Sequence, residues 1–93
     1  MDDVTRQRLK HNEAVFRSVN DEIEDRAAPD HGELEYVCEC ADATCTAAVR
    51  LSHEEYEAVR RDADRFFVVE GHERREIERV IERHDGYLVV EKG

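Results

Sequence analysis

The chain has 93 residues, 14 basic and 24 acidic, for a formal net charge of −10, and 41% of its residues are charged. One small α+β domain spanning residues 1–93 fits that length, and surface scaling gives a folded area of about 5,600 Å² with about 65% of the unfolded surface buried. No apolar run approaches the roughly 20 residues needed to span a bilayer, and no cationic start leads into a signal-like stretch, so a cytoplasmic protein with no membrane partner is expected. Acid excess argues against nucleic acid, whose phosphates are met by basic patches.

The first expected element is a helix over about Thr5 to Ala27. Leu9, Phe16, Val19, Ile23 and Ala27 recur at helical steps, with Val15 widening the stripe. Arg6, Lys10, Glu13, Arg17, Asp21 and Glu24 then cover much of the rest, and Glu13–Arg17 and Glu22–Arg26 have the spacing of helix ion pairs. Pro29 ends the helix, and Asp30-His31-Gly32 reads as a turn.

From Glu33 the period drops to two. Leu34, Tyr36, Cys38 and Cys40 would share one strand face, Ala41-Asp42-Ala43-Thr44 is a reversal, and Ala47, Val49 and Leu51 alternate on a return strand. Ser52 and Glu55 form a capping box for a short second helix, with Leu51 and Tyr56 at staple spacing and an end expected near Asp62–Asp64. Phe66-Phe67-Val68-Val69 is a strand that stops at Glu70-Gly71-His72. Glu73 to Arg83 suits either a helix or a strand. Asp85-Gly86 is a two-residue hairpin signal, which favours a strand with Ile77, Arg79, Ile81 and Arg83 on one side, paired with Tyr87-Leu88-Val89-Val90. The architecture expected is a long N-terminal helix on a small antiparallel sheet of three to five strands, with a second short helix.

Chemistry concentrates in one place. Cys38, Cys40 and Cys45 are the chain's three cysteines, an odd number that cannot all pair. In a reducing compartment such a cluster points to a metal or to free thiols. A structural Zn²⁺ needs four ligands in a tetrahedron. His72 is the expected fourth, because it follows a glycine at the end of an apolar strand; His31 and His53 are alternatives. A single residue between Cys38 and Cys40 is shorter than the two to four of common zinc motifs. Two other readings therefore stay open: buried free thiols in a metal-free interaction domain, and a thiol-based redox protein, including a Cys40–Cys45 disulfide. Glu39 and Asp42 are expected to add negative potential at the thiolates.

Other chemistry finds little support. The four glycines are scattered, so no phosphate loop exists. A Cys45–His72 nucleophilic pair lacks a marked orienting group or oxyanion donor, and a closed four-ligand zinc has no position for water. An enzyme is not the favoured reading, and no small-molecule substrate is implied. Tyr36, Tyr56 and Tyr87 read as core aromatics; His11, His31, His53 and His84 read as surface residues. The N-terminal helix could pair with its counterpart in a homodimer or lie on a basic protein partner.

Asn12-Glu13-Ala14, Phe16 to Asp21, Tyr36-Val37-Cys38-Glu39-Cys40 with Cys45, Glu55 to Arg60, Phe66 to His72 and Tyr87 to Lys92 together resemble a family of small uncharacterised proteins of high-GC Gram-positive bacteria. The likeness covers nearly the whole chain. That family often has Pro where this chain has Glu70. The resemblance brings no activity, substrate or metal. It implies that Cys38, Cys40, Cys45 and His72 form a recurring pattern and that Glu73–Lys92 is a hairpin.

Overall fold

The computed structural model describes residues 2–27 and 32–92. Pro29 and the Asp30-His31 part of the expected turn, with the alternative ligand His31, lie outside the described residues. The order is α1 (Asp3–Arg26), β1 (Glu33–Val37), β2 (Ala48–Ser52), α2 (His53–Arg60), β3 (Arg65–Val68), β4 (Glu78–His84) and β5 (Tyr87–Lys92). This is an α+β fold with the long helix on antiparallel sheet and a short second helix. The sheet divides into a β1–β2 hairpin and a three-stranded sheet ordered β3-β5-β4. The accessible surface is 5728 Å², close to what the mass requires.

Asp2 caps α1 by accepting the Thr5 N–H at 2.7 Å. The inward line of this helix corrects the expected stripe. Val15 and Val19 are 46% and 42% exposed, whereas Glu13 and Asn20 are fully buried, flanked by half-buried Leu9, Phe16 and Ile23. The helix packs on backbone with unpaired polar groups, so it turns inward a side chain able to satisfy them. Asn20 does this: its Nδ2 donates to the Val37 carbonyl at 2.7 Å and its Oδ1 accepts the Val37 N–H at 2.8 Å. The expected Glu13–Arg17 pair gives way to tertiary contacts. Arg17 donates to the Ala63 carbonyl and lies 5.0 Å from the Phe66 ring centre, while Glu13 has Lys92 at 3.7 Å. Glu22–Arg26 does form, at 2.7 Å.

β1 and β2 pair from Glu33↔Ser52 to Val37↔Ala48, and the hairpin runs one step further through Cys38 N–H to the Ala47 carbonyl at 3.0 Å. The capping box of α2 is complete, with Ser52 Oγ accepting from Glu55 N–H at 3.1 Å and Glu55 accepting from Ser52 N–H at 2.9 Å. Helix α2 ends at Arg60, ahead of Asp62–Asp64. Residues 75–77 form a turn and Glu78–His84 a strand, as the hairpin signal favours over a third helix. Two details differ. A bulge between Val80 and Glu82 breaks the single-parity face, so Val80 and Ile81 both reach the core. At the Asp85-Gly86 loop only Gly86 has positive φ, +90°, the sign pattern of a type II turn and not of type I′.

The core is Tyr36, Val49, Leu51, Tyr56, Val59, Phe66, Phe67, Val68 and the whole of Tyr87–Val90, joined by Cys38 and Cys40. Tyr36 stacks on Tyr56 at 5.0 Å between ring centres, and both meet Phe67 edge-on.

Candidate metal centre

Three segments converge at the mouth of the hairpin. The strand of β1 runs on through Cys38-Glu39-Cys40 and changes partner as it goes: Cys38 N–H bonds the β2 side, and Glu39 N–H bonds the Phe67 carbonyl of β3 at 3.0 Å. Extended chain alternates its side chains. Cys38 and Cys40 therefore face one way and Glu39 the other. The reversal that follows is held by Asp42, whose Oδ1 accepts the Thr44 N–H at 2.9 Å and the Thr44 hydroxyl at 2.7 Å, while its carbonyl accepts the Cys45 N–H at 3.0 Å. That turn brings Cys45 back beside the first two cysteines.

His72 arrives from β3. A turn over Val69–His72 is closed by His72 N–H to the Val69 carbonyl at 2.9 Å, with Gly71 at φ +94° in its third position. Such a turn takes glycine there and favours proline one place earlier, where this chain has Glu70. A non-glycine residue at 71 would be strained by its backbone.

One ligand atom each from Cys38, Cys40, Cys45 and His72 lies within 4.8 Å of all the others. His72 Nδ1 is 3.6 Å from Cys38 Sγ and 3.5 Å from Cys45 Sγ. A tetrahedral ion with Zn–S near 2.3 Å and Zn–N near 2.0–2.1 Å sets the sulfur–nitrogen separation at about 3.6 Å. The four donors thus form a Cys₃His cluster that could hold a metal ion, with both printed sulfur–nitrogen separations near that value. Cys38 and Cys40 are buried, Cys45 and His72 half-buried, and all three cysteines are free thiols. The Val69 N–H points at Cys38 Sγ from 3.2 Å, a donor that favours thiolate. Thiols this close share their protons unequally. Cys40 is held down to about 5, chiefly by donation from the Cys38 thiol, with Asp42 backbone and His72 adding to it. Cys38 is pushed up by that same bond and by burial, and Cys45 by burial.

Glu39 corrects the expected electrostatics. It does not face the thiols. Fully buried, it forms an ion pair with Arg60, whose Nη1 donates at 3.1 Å and whose Nη2 also donates. Asn20 Nδ2 at 2.9 Å and Phe67 N–H at 3.2 Å complete its shell. Burial pushes the Glu39 carboxyl up, while Arg60, Asn20 and Phe67 pull it down. Arg60 reaches on to Asp21 at 2.9 Å and lies over the rings of Tyr56 and Phe67, at 4.8 and 5.1 Å. The loop between the cysteines is thereby tied to α1, α2 and β3. Asn12 adds a further tie by donating to the Ala41 carbonyl at 2.8 Å. The signal for this brace was the Cys-Glu-Cys alternation itself: sulfurs on one side force the acid into the opposite layer.

The other described histidines, His11, His53 and His84, lie elsewhere. His53 sits at the start of α2 with Glu24 on Nδ1 at 2.5 Å and Glu57 facing Nε2 at 3.7 Å. These three also gather within 4.8 Å, but the imidazole stands between the carboxylates in the place a cation would take. His84 stacks on Tyr87 at 4.6 Å, and His11 is exposed. Among the described residues no helix is long and apolar enough to cross a membrane. Comparison with protein-family models, with curated proteins and with solved structures finds no match.

Proposed function

We propose that this chain is a small cytoplasmic interaction or regulatory domain whose fold is closed by one structural Zn²⁺ on Cys38, Cys40, Cys45 and His72. The observation that carries the reading is the pair of sulfur–nitrogen separations, 3.6 and 3.5 Å, at the value a tetrahedral zinc imposes. Three thiolates and a neutral imidazole leave the loaded centre with one net negative charge, and the groove beside it is rimmed by both signs, Arg74 and Arg75 with Asp42, Glu73 and Glu76. A closed tetrahedron supplies folding energy, not a reacting water. The resemblance to the high-GC Gram-positive family belongs to the same proposal: its members would carry the same four donors.

Native mass spectrometry of protein purified without chelator is expected to show one zinc per chain. Cys40→Ser and His72→Ala are each expected to lose it. Stripping the metal should cost several kcal/mol of stability, since binding is worth on the order of 10 kcal/mol in small zinc domains. A metal-free chain that keeps its full denaturation midpoint, with zinc neither bound nor stabilising on titration, overturns the reading.

A further inference from the structure

We infer that Cys45 and Cys40 are the oxidisable pair of the centre: a hydroperoxide joins them as a disulfide, which opens the site and releases the metal. The release of metal rests on the zinc reading above; the choice of pair does not.

The three sulfurs lie together but are not equivalent. Cys38 and Cys40 are buried, at 1% and 2% exposure, whereas Cys45 is half-buried between exposed Thr44 and Thr46. Among neighbouring cysteines, oxidation selects the sulfur that solvent can reach. Cys45 is therefore the one a small uncharged peroxide meets first.

Strand geometry then picks its partner. The β1–β2 hairpin keeps one register from Glu33↔Ser52 to Val37↔Ala48, and Cys38 continues it against Ala47. Counted on, that register sets Cys40 opposite Cys45 and leaves Cys38 on the diagonal. Cβ atoms of opposed positions are about 4.5–5.5 Å apart and diagonal positions about 7–8 Å, against the roughly 3.5–4.5 Å that a disulfide spans. The opposed pair closes with a small shift, the diagonal one only with a large one. Cys38 and Cys40 are no better placed, because residues two apart on extended chain stand about 6.6 Å from each other with parallel side chains. Cys38 is also pinned, its sulfur accepting the Val69 N–H at 3.2 Å and its own N–H donating to the Ala47 carbonyl at 3.0 Å.

The Cys45 sulfur attacks one peroxide oxygen; the O–O bond breaks, hydroxide leaves, and Cys45 holds a sulfenic acid. The Cys40 thiolate then attacks the Cys45 sulfur, forming the S–S bond and breaking S–O, with a second hydroxide as the leaving group. Two electrons pass from the two sulfurs to the two peroxide oxygens, and no further reactant is needed. Cys38 and His72 remain as donors, too few for a closed tetrahedron. The groove lined by Cys40 and His72 gives the released ion a way out.

The test is to titrate the zinc-loaded chain with hydrogen peroxide in thiol-free buffer, following released zinc with a coloured chelator and the product by intact mass. One zinc per chain is expected to be released, leaving a chain two hydrogens lighter than the reduced form, with reversal by dithiothreitol and added zinc. Cleavage after Glu39 and before Asp42 places the three cysteines on separate peptides. Those of Cys40 and Cys45 are expected to be linked, with Cys38 open to alkylation. Cys38→Ser, although it removes a zinc donor, is expected still to form the bond, whereas Cys40→Ser and Cys45→Ser are expected to form no intramolecular disulfide. A linked peptide containing Cys38, zinc retained under excess peroxide, or sulfur oxidation with no linked pair overturns the inference. A chain that never held zinc yet links Cys40 to Cys45 overturns the zinc reading and supports the pairing.

Discussion

Glu39 shows how much one residue can carry in a thin core. Its carboxylate is enclosed by Arg60, Asn20 and the Phe67 N–H, while its two neighbours in sequence offer sulfur to the opposite side. A buried ion pair gains little over a well-packed apolar pair, yet removing one partner strands a charge. Glu39→Ala is therefore expected to cost about 3–5 kcal/mol. The double variant Glu39→Leu/Arg60→Met should lie closer to the parent than either single change, as read from urea midpoints. Equal costs for the double and the sum of the singles would mean that the two side chains do not act as a pair. The three cysteines of the centre were legible beforehand, because an odd cluster of thiols has few roles, whereas His72 was one of three candidate histidines. For Glu39 only its side was legible, from its place between two cysteines; a carboxylate in a chain with 24 acids does not itself mark burial or name Arg60 as its partner.

At the scale of elements, local chemistry and tertiary demand separate cleanly. Helix α2 is written in its own residues: Ser52 and Glu55 exchange hydrogen bonds over three positions, and nothing distant is needed to form them. Ser52→Ala should lower stability by about 1 kcal/mol, visible as a shift in the thermal or urea midpoint. Helix α1 is different. Its existence follows from periodicity, but its orientation does not, because the apolar residues alone point near Val19 while the packed face centres on Glu13 and Asn20. The deciding partner is the Val37 backbone, which has both its polar groups met by Asn20. In β4 the same lesson recurs. The strand was legible from Asp85-Gly86, whereas the bulge that lets Val80 and Ile81 both face inward shows only in the pairing of β4 with β5.

Across the whole molecule, acid reaches the interior a second time, away from Glu39. Glu13 of α1 is fully buried with neither carboxylate oxygen hydrogen-bonded, beside Glu78 of β4 and Lys92 of β5. Burial first, and then Glu78, push the Glu13 carboxyl up to about 9, against the pull of Lys92. The folded chain accordingly holds a proton that the unfolded chain has released above its ordinary value of 4.5. Its contribution to stability is full below that value and is lost as pH rises towards about 9. Glu13→Gln keeps the neutral shape and cannot ionise. It is expected to flatten stability between neutral pH and pH 9, so that the variant overtakes the parent on the alkaline side in denaturation series run at several pH values. A parent whose stability does not fall over that range would show Glu13 to be ionised and paired.

By itself the sequence determined the α+β class, the helix and strand segments, the capping box, and the cluster of three cysteines that lacks a fourth donor, because each depends on spacing or donor chemistry within a few residues. Only the tertiary structure decided which way α1 faces, that Glu39 turns from the thiols to Arg60, that Glu13 is buried, and that His72 reaches Cys38 and Cys45 across 34 and 27 positions of chain. Those outcomes turn on whose polar groups lie within hydrogen-bond reach once distant segments pack, and no local pattern encodes that distance.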